Sequence, residues 1–145
     1  MKHKIYIAGQ EGMVGQAIYK LLKKKNYNII QCPRTNLDLT DQKQVQIWFK
    51  KNKPTIVINA AGKVGGILDN SLYPDKYLYV NTMIGLNLLK SALDYNVKQF
   101  INLGSACIYP KKTKQPIKEE YLLSSKLEES NEGYAIAKIA VLKYC

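Results

Sequence analysis

The stretch Ile5-Tyr-Ile-Ala8-Gly9-Gln-Glu-Gly12-Met-Val-Gly15 decides the fold. Its apolar opening reads as a short buried strand, and after Gly15 the positions Ala17, Ile18, Leu21 and Leu22 recur at helical spacing. Glycines between a strand and a helix have a physical use. Gly9 permits a tight turn, Gly12 admits a pyrophosphate close to the backbone, and Gly15 lets helix and strand pack closely. The turn residues Gln10 and Glu11 and the first helical residues Met13 and Val14 complete the candidate phosphate cradle, because the free N–H groups of a helix N-terminus attract anions.

Working outward, Tyr27-Asn-Ile-Ile30 reads as a second strand, and the residues beyond its end are placed to meet an adenosine ribose. Arg34 stands there, the only arginine among 22 basic residues. A planar, bidentate phosphate binder at this point implies a 2′-phosphate and hence NADP(H), while the charge of Glu11 leaves NAD(H) open. Asp38 and Leu39 follow at the expected adenine edge, and Asp41 opens a helical pattern with Val45, Ile47, Trp48 and Phe49 as its apolar material. Thr55-Ile-Val-Ile58 is a third strand that runs into Asn59-Ala60-Ala61-Gly62, small residues that admit a cofactor. A long helical pattern spans about Pro74 to Asn96, and a fourth strand, Gln99 to Leu103, opens into Gly104-Ser105-Ala-Cys107. The polar stretch from Lys111 to Leu127 reads as a surface loop, and Asn131 is placed to cap a final helix. The alternation of strands and helices predicts an α/β fold, a Rossmann-like doubly wound parallel sheet, in the order 3-2-1-4 for these strands.

That final helix carries Tyr134 and Lys138, four residues apart and therefore on one face. A cation held beside a phenol favours the phenolate and draws its pKa down from about 10 toward working pH, which suits acid/base catalysis. Ser105 and Cys107 lie beyond the carboxyl end of a strand, where open α/β sheets place their chemistry.

Composition limits the alternatives. With 145 residues, 46% of them hydrophobic, the chain has the size and content of a folded, soluble domain. No apolar run approaches the ~18 to 20 residues of a membrane span, so the cytoplasm is the expected compartment. Cys32, Cys107 and Cys145 lack metal-ligand spacing and His3 gives them no partner, so free thiols and no metal are expected. The net charge of +11 is compatible with nucleic acid, but many of the lysines cluster at helix ends, where they complement the helix dipole, or in loops. A basic nucleic-acid-binding module is therefore a minor alternative.

The strings Gly9-Gln-Glu-Gly-Met-Val-Gly15, Leu37-Asp-Leu-Thr-Asp41, Ala60-Ala-Gly-Lys-Val-Gly-Gly-Ile67, Gly104-Ser-Ala-Cys-Ile-Tyr-Pro110 and Asn131-Glu-Gly-Tyr-Ala-Ile-Ala-Lys138 resemble the GDP-L-fucose synthases, a family of extended short-chain dehydrogenases. The resemblance covers essentially the whole chain. It implies epimerisation of GDP-4-keto-6-deoxy-D-mannose at C3″ and C5″, followed by NADPH reduction at C4″. It implies a cofactor site formed by Gly9 to Gly15, Arg34, Asp38, Leu39, Ala60, Ala61, Leu103, Gly104, Ser105, Tyr134 and Lys138. It also implies that Ser105 and Tyr134 bind the C4″ oxygen, that Lys138 holds the nicotinamide ribose, and that Cys107 is an acid/base group of the epimerisation. Ala106 stands where the family often has a second serine, and Glu11 where an arginine often holds the 2′-phosphate. Family members are about twice this length, so residues 1–145 are expected to form the N-terminal part of an NAD(P)-binding Rossmann domain without the substrate domain. Such a piece is expected to be inactive alone, with a homodimer or a complementing C-terminal chain as candidate partners. The alternatives are a non-catalytic or split-enzyme nucleotide-binding fragment and another sugar-nucleotide epimerase or dehydratase.

Overall fold

The structure, a computed structural model, describes residues 3–145. Strands β1 (Lys4–Ala8), β2 (Asn28–Ile30), β3 (Ile56–Asn59) and β4 (Gln99–Asn102) form one parallel sheet. The helices are α1 (Met13–Lys24), α2 (Gln42–Asn52), α3 (Ile67–Leu72), α4 (Pro74–Asp94) and α5 (Glu132–Tyr144). The chain divides into two compact units. One holds the described residues up to Gly62 with Met83–Leu103 and Cys145, and the other holds Lys63–Thr82 and Gly104–Tyr144.

The first unit contains the sheet. Ile5, Tyr6, Ile7 and Ala8 of β1 are all buried, as a parallel strand covered on both faces requires. Ile18, Tyr19 and Leu22 of α1 pack against Ile5, Ile7 and Ile58. The Tyr6 ring lies 4.2 Å from that of Trp48, with Phe49 edge-on at 6.3 Å. Three apolar positions depart from expectation: Ala17, Leu21 and Ile47 face solvent, the last two at 56% and 66% exposure. Each lies off the stripe its helix buries, Ile18, Tyr19 and Leu22 in α1 and Val45 and Phe49 in α2, so the periodicity there is broader than the buried stripe. The turns that return the helices to the sheet place Asn26, Lys53 and Asn96 in the left-handed region, with φ of 58°, 49° and 55°.

The strand order is β2-β1-β3-β4, which corrects the predicted order. After β2 the chain adds no strand outside it. Residues Arg34–Asn36 form a 3-10 turn, and the Asp38 carboxylate accepts bonds from the Thr40 N–H and hydroxyl at 2.9 and 2.7 Å. Asp41 then caps α2 by accepting from the Gln44 N–H at 3.0 Å, and β3 joins the other side of β1. The direction of winding therefore reverses at β1. This switch point is where an open α/β sheet leaves a crevice at its carboxyl end.

Gly9 sits at that point with φ of +79°, and a Cβ there would lie 2.7 Å from the backbone of Ala61. Gly9→Ala should therefore destabilise the chain by about 2 kcal/mol or more, from backbone strain and contact together, measured as a lower urea midpoint.

Candidate active site

The cradle in the first unit is built by the glycines. The Gly12 N–H donates to the Gly9 carbonyl at 3.0 Å, and a Cβ on Gly15 would fall 2.1 Å from that same oxygen. Glycine at 15 is thus what allows α1 to start directly against the turn. Gly12 occupies the cap position of α1 with no side-chain cap bond, and the first turn holds no acid. The N–H groups of Met13, Val14 and Gly15 are left for an anion, a donor set that fits a dinucleotide pyrophosphate. Met13 is 88% exposed, although it opens an apolar helix.

On the ribose side, the Arg34 backbone N–H donates to Glu11 Oε2 at 3.1 Å. Among the described residues no lysine or arginine pairs with the Glu11 carboxylate. Its negative charge reaches the neighbouring Cys32 thiol, which burial pushes up, a hydrogen bond from Trp48 draws down and Glu11 raises further. A pocket of about 250 Å³ opens beside the turn, lined by Gln10, Glu11, Gln16, Tyr19, Lys20 and Gln31. Arg34 is exposed and outside this lining. At the predicted adenine edge the Leu39 carbonyl is already held by Asn87 Nδ2 at 3.0 Å, and Asp38 is engaged with Thr40. The ends of β3 and β4 are tied by Asn59 Nδ2 donating to Asn102 Oδ1 at 2.9 Å, while Asn59 Oδ1 accepts from the Ala61 N–H and Asn59 O from Leu103. Ala61 and Leu103 are therefore fixed in position by one buried asparagine, and Ala60 by its N–H donating to the Ala8 carbonyl at 2.9 Å.

The second unit brings Ser105, Cys107, Tyr134 and Lys138 together. Ser105 Oγ accepts from the Cys107 N–H at 3.3 Å, capping the 3-10 turn Ala106–Ile108. Cys107 packs, half-buried, against Ile108, Leu127, Ala135 and Ile139, so both the cysteine loop and α5 are anchored in one apolar cluster. Gly133 allows α5 its close approach, since a Cβ there would lie 2.4 Å from the Pro74 carbonyl oxygen. The Lys63 to Gly66 loop is pinned by Asn81, which accepts from the Lys63 N–H at 2.9 Å and donates to the Lys63 carbonyl at 3.0 Å. Lys63 Nζ lies 4.8 Å from the centre of the Tyr77 ring.

The electrostatics of the Tyr134–Lys138 pair correct the expectation drawn from spacing. Lys138 Nζ lies 5.7 Å from the Tyr134 ring centre. Burial nevertheless pushes the phenol up, a hydrogen bond from Ser105 draws it down, and the charge of Cys107 raises it. Lys138 is itself held below its ordinary value by burial. The pair is present, and burial is the largest influence on both groups.

Sequence reading also missed Asn131. It does not cap α5; its Nδ2 donates to Cys107 Sγ at 3.3 Å, and its Oδ1 is buried without a partner. An asparagine just ahead of a helix carries no signal that distinguishes these two uses.

The model of the NAD dependent epimerase/dehydratase family matches residues 5–145. The chain belongs to that family. Among its relatives, GDP-L-fucose synthase 1 of Arabidopsis thaliana is 47% identical over 143 residues, 98% of this chain and 44% of the relative. A GDP-L-fucose synthase of Sinorhizobium fredii is 46% identical over 142 residues, again 98% of this chain and 45% of the relative. Among solved structures, the GDP-mannoheptose C4 reductase MlghC of Campylobacter jejuni, with NADP bound, superposes with a TM-score of 0.96 at 36% identity, covering 99% of this chain and 46% of that one. The chain therefore spans less than half the length of these epimerase-family relatives. Among the described residues no helix is long and apolar enough to cross a membrane, and no cluster of His, Cys, Asp or Glu could hold a metal ion.

The raised phenol of Tyr134 has a consequence for pH. Its proton is held more tightly in the folded chain, so the associated stability is full below the unfolded tyrosine value near ~10 and is lost as pH rises through the folded value. Wild type should lose stability faster than Tyr134→Phe above that pH, read from urea midpoints at stepped alkaline pH; parallel losses would contradict it.

Proposed function

We propose that this chain supplies the nucleotide-binding and proton-transfer groups of a GDP-sugar epimerase/reductase of the GDP-L-fucose synthase type. The observation that carries the proposal is the convergence of Ser105, Cys107 and Tyr134, with Lys138 a helical turn beyond, in one compact unit. In this reading Ser105 and Tyr134 hydrogen-bond the keto oxygen at C4″ of GDP-4-keto-6-deoxy-D-mannose. Their hydrogen bonds polarise the carbonyl, which acidifies the protons at C3″ and C5″. Cys107 exchanges a proton at one of those carbons, and Tyr134 then protonates the C4″ oxygen during reduction. Lys138 holds the nicotinamide ribose and supplies positive charge beside Tyr134. The bound nicotinamide dinucleotide supplies the hydride. Reduction at C4 is also what the name of MlghC describes, which supports this step more broadly than any one sugar.

The proposed cofactor is NADP(H), held by Gly9, Gly12 and the N–H groups of α1, with Arg34 on the 2′-phosphate. Glu11 opposes that choice, since its carboxylate has taken the Arg34 backbone N–H. NADH is therefore expected to bind as well. Free thiols at Cys32, Cys107 and Cys145 suit a cytoplasmic setting. A basic binding module is disfavoured by the apolar residues that α3 and α5 expose, Ile67 and Leu68 at 74% and 72% and Ile136 at 42%.

Calorimetric titration with NADPH and NADH tests the nucleotide site directly. Binding of neither would overturn it. Arg34→Ala should weaken NADPH by about 10-fold or more, the value of a charge-assisted bond of ~1.5 to 3 kcal/mol, and change NADH little. Equal losses would show that Arg34 does not read the 2′-phosphate. Glu11→Gln should tighten NADPH several-fold by removing the opposing charge while leaving NADH nearly unchanged.

A further inference from the structure

Cys107 is the only thiol in the catalytic cluster, and its sulfur has one directed polar contact, the Asn131 Nδ2 donor at 3.3 Å. Asn131 ends the 3-10 turn Glu129–Asn131, which leads directly into α5, the helix that carries Tyr134 and Lys138. The buried asparagines of this unit hold backbone: Asn81 bonds Lys63 and Tyr77, and Asn70 Nδ2 bonds the carbonyls of Gly65 and Gly66 while its Oδ1 has no partner. Asn131 departs from that use. Its carboxamide nitrogen is spent on a sulfur, a weak acceptor when neutral, and its oxygen is buried and unpartnered. Asn70 offsets its unpaired oxygen with two carbonyl acceptors, whereas a single bond to a neutral sulfur returns less of that cost to Asn131. The arrangement becomes favourable when the sulfur is negative, since a hydrogen bond to an ionised acceptor is roughly twice as strong as a neutral one.

The geometry points to Asn131 as a positioning residue for Cys107, holding the sulfur in place and stabilising the negative charge on it each time the thiol gives up its proton. This deepens the acid/base role proposed above for Cys107 and rests on that reading. A carboxamide suits a group that must cycle between two states. Its N–H side donates to the thiolate, and after a half-turn its oxygen accepts from the S–H. The Oδ1 makes no other bond that such a half-turn would break.

Alkylation by iodoacetamide isolates the sulfur from every other step: the thiolate forms the S–C bond and iodide leaves. The full chain is treated at pH 7 and the cysteine peptides are followed separately, so that Cys32 and Cys145 act as internal controls. Asn131→Ala should slow alkylation of Cys107 about 3-fold or more, since lost thiolate is only partly offset by greater intrinsic nucleophilicity. Asn131→Asp, nearly the same size but bearing a charge that repels the thiolate, should slow it further. Cys32 and Cys145 should be unchanged in both. A merely structural role predicts the opposite sign in the alanine variant, because a loosened loop exposes the thiol. Unchanged or faster alkylation of Cys107 in Asn131→Ala would overturn the proposal, and if that variant fails to fold, the neutral, near-isosteric Asn131→Leu, which also lacks the donor, decides in its place. The assay uses neither nucleotide nor sugar. Loss of the keto-sugar reading through absent nucleotide binding is therefore distinguishable from loss of this one.

Discussion

The close approach of two backbones at Gly9 is the constraint on which the sheet's carboxyl end depends. β1 must turn sharply at its end, its neighbour β3 ends beside it, and the Ala60–Ala61 segment passes within 2.7 Å of where a Cβ would be. Only a residue without a side chain and tolerant of φ near +79° satisfies both conditions. Because winding reverses at β1, this crowded point is also where the sheet can admit a ligand. The glycines are thus structural and functional for the same reason: backbone brought close to backbone leaves N–H groups, rather than side chains, facing the crevice.

A second theme is the use of carboxamides to fix loops that carry chemistry. Asn59 joins the ends of β3 and β4, Asn87 holds Leu39, Asn70 and Asn81 hold the Lys63 to Gly66 loop, and Asn131 meets Cys107. A loop that must stay open to ligand cannot rely on apolar packing alone, yet its backbone groups still need partners. Side-chain amides supply donor and acceptor together and meet that need in little space.

The fold class was legible because its signals are local. Glycine spacing, apolar strands and helical periodicity each act within a few residues, and the Gly9 to Gly15 turn formed as read. Strand order was not, since apolar periodicity reports that a strand is buried and says nothing of its neighbour; the third strand, expected outside β2, pairs instead with the other side of β1. The four candidate catalytic residues were legible as a constellation through family strings, and the structure gathers them. Their electrostatics were not. The spacing of Tyr134 and Lys138 suggests attraction, but the burial that raises one and lowers the other depends on the packing around both. Asn131 was misread for a related reason: a residue's position before a helix predicts a backbone partner, and here a sulfur outside the helix competes successfully.

The two helices that flank β2 begin differently. Asp41 closes the start of α2 with its own side chain, whereas α1 begins at Gly12 with no such group. An anion seated there would complete the helix as Asp41 completes its neighbour, so the ligand would be the missing cap. Folding and occupancy of that site would then be linked quantities: the melting temperature of this part of the chain would become a function of the concentration of whatever anion fills it.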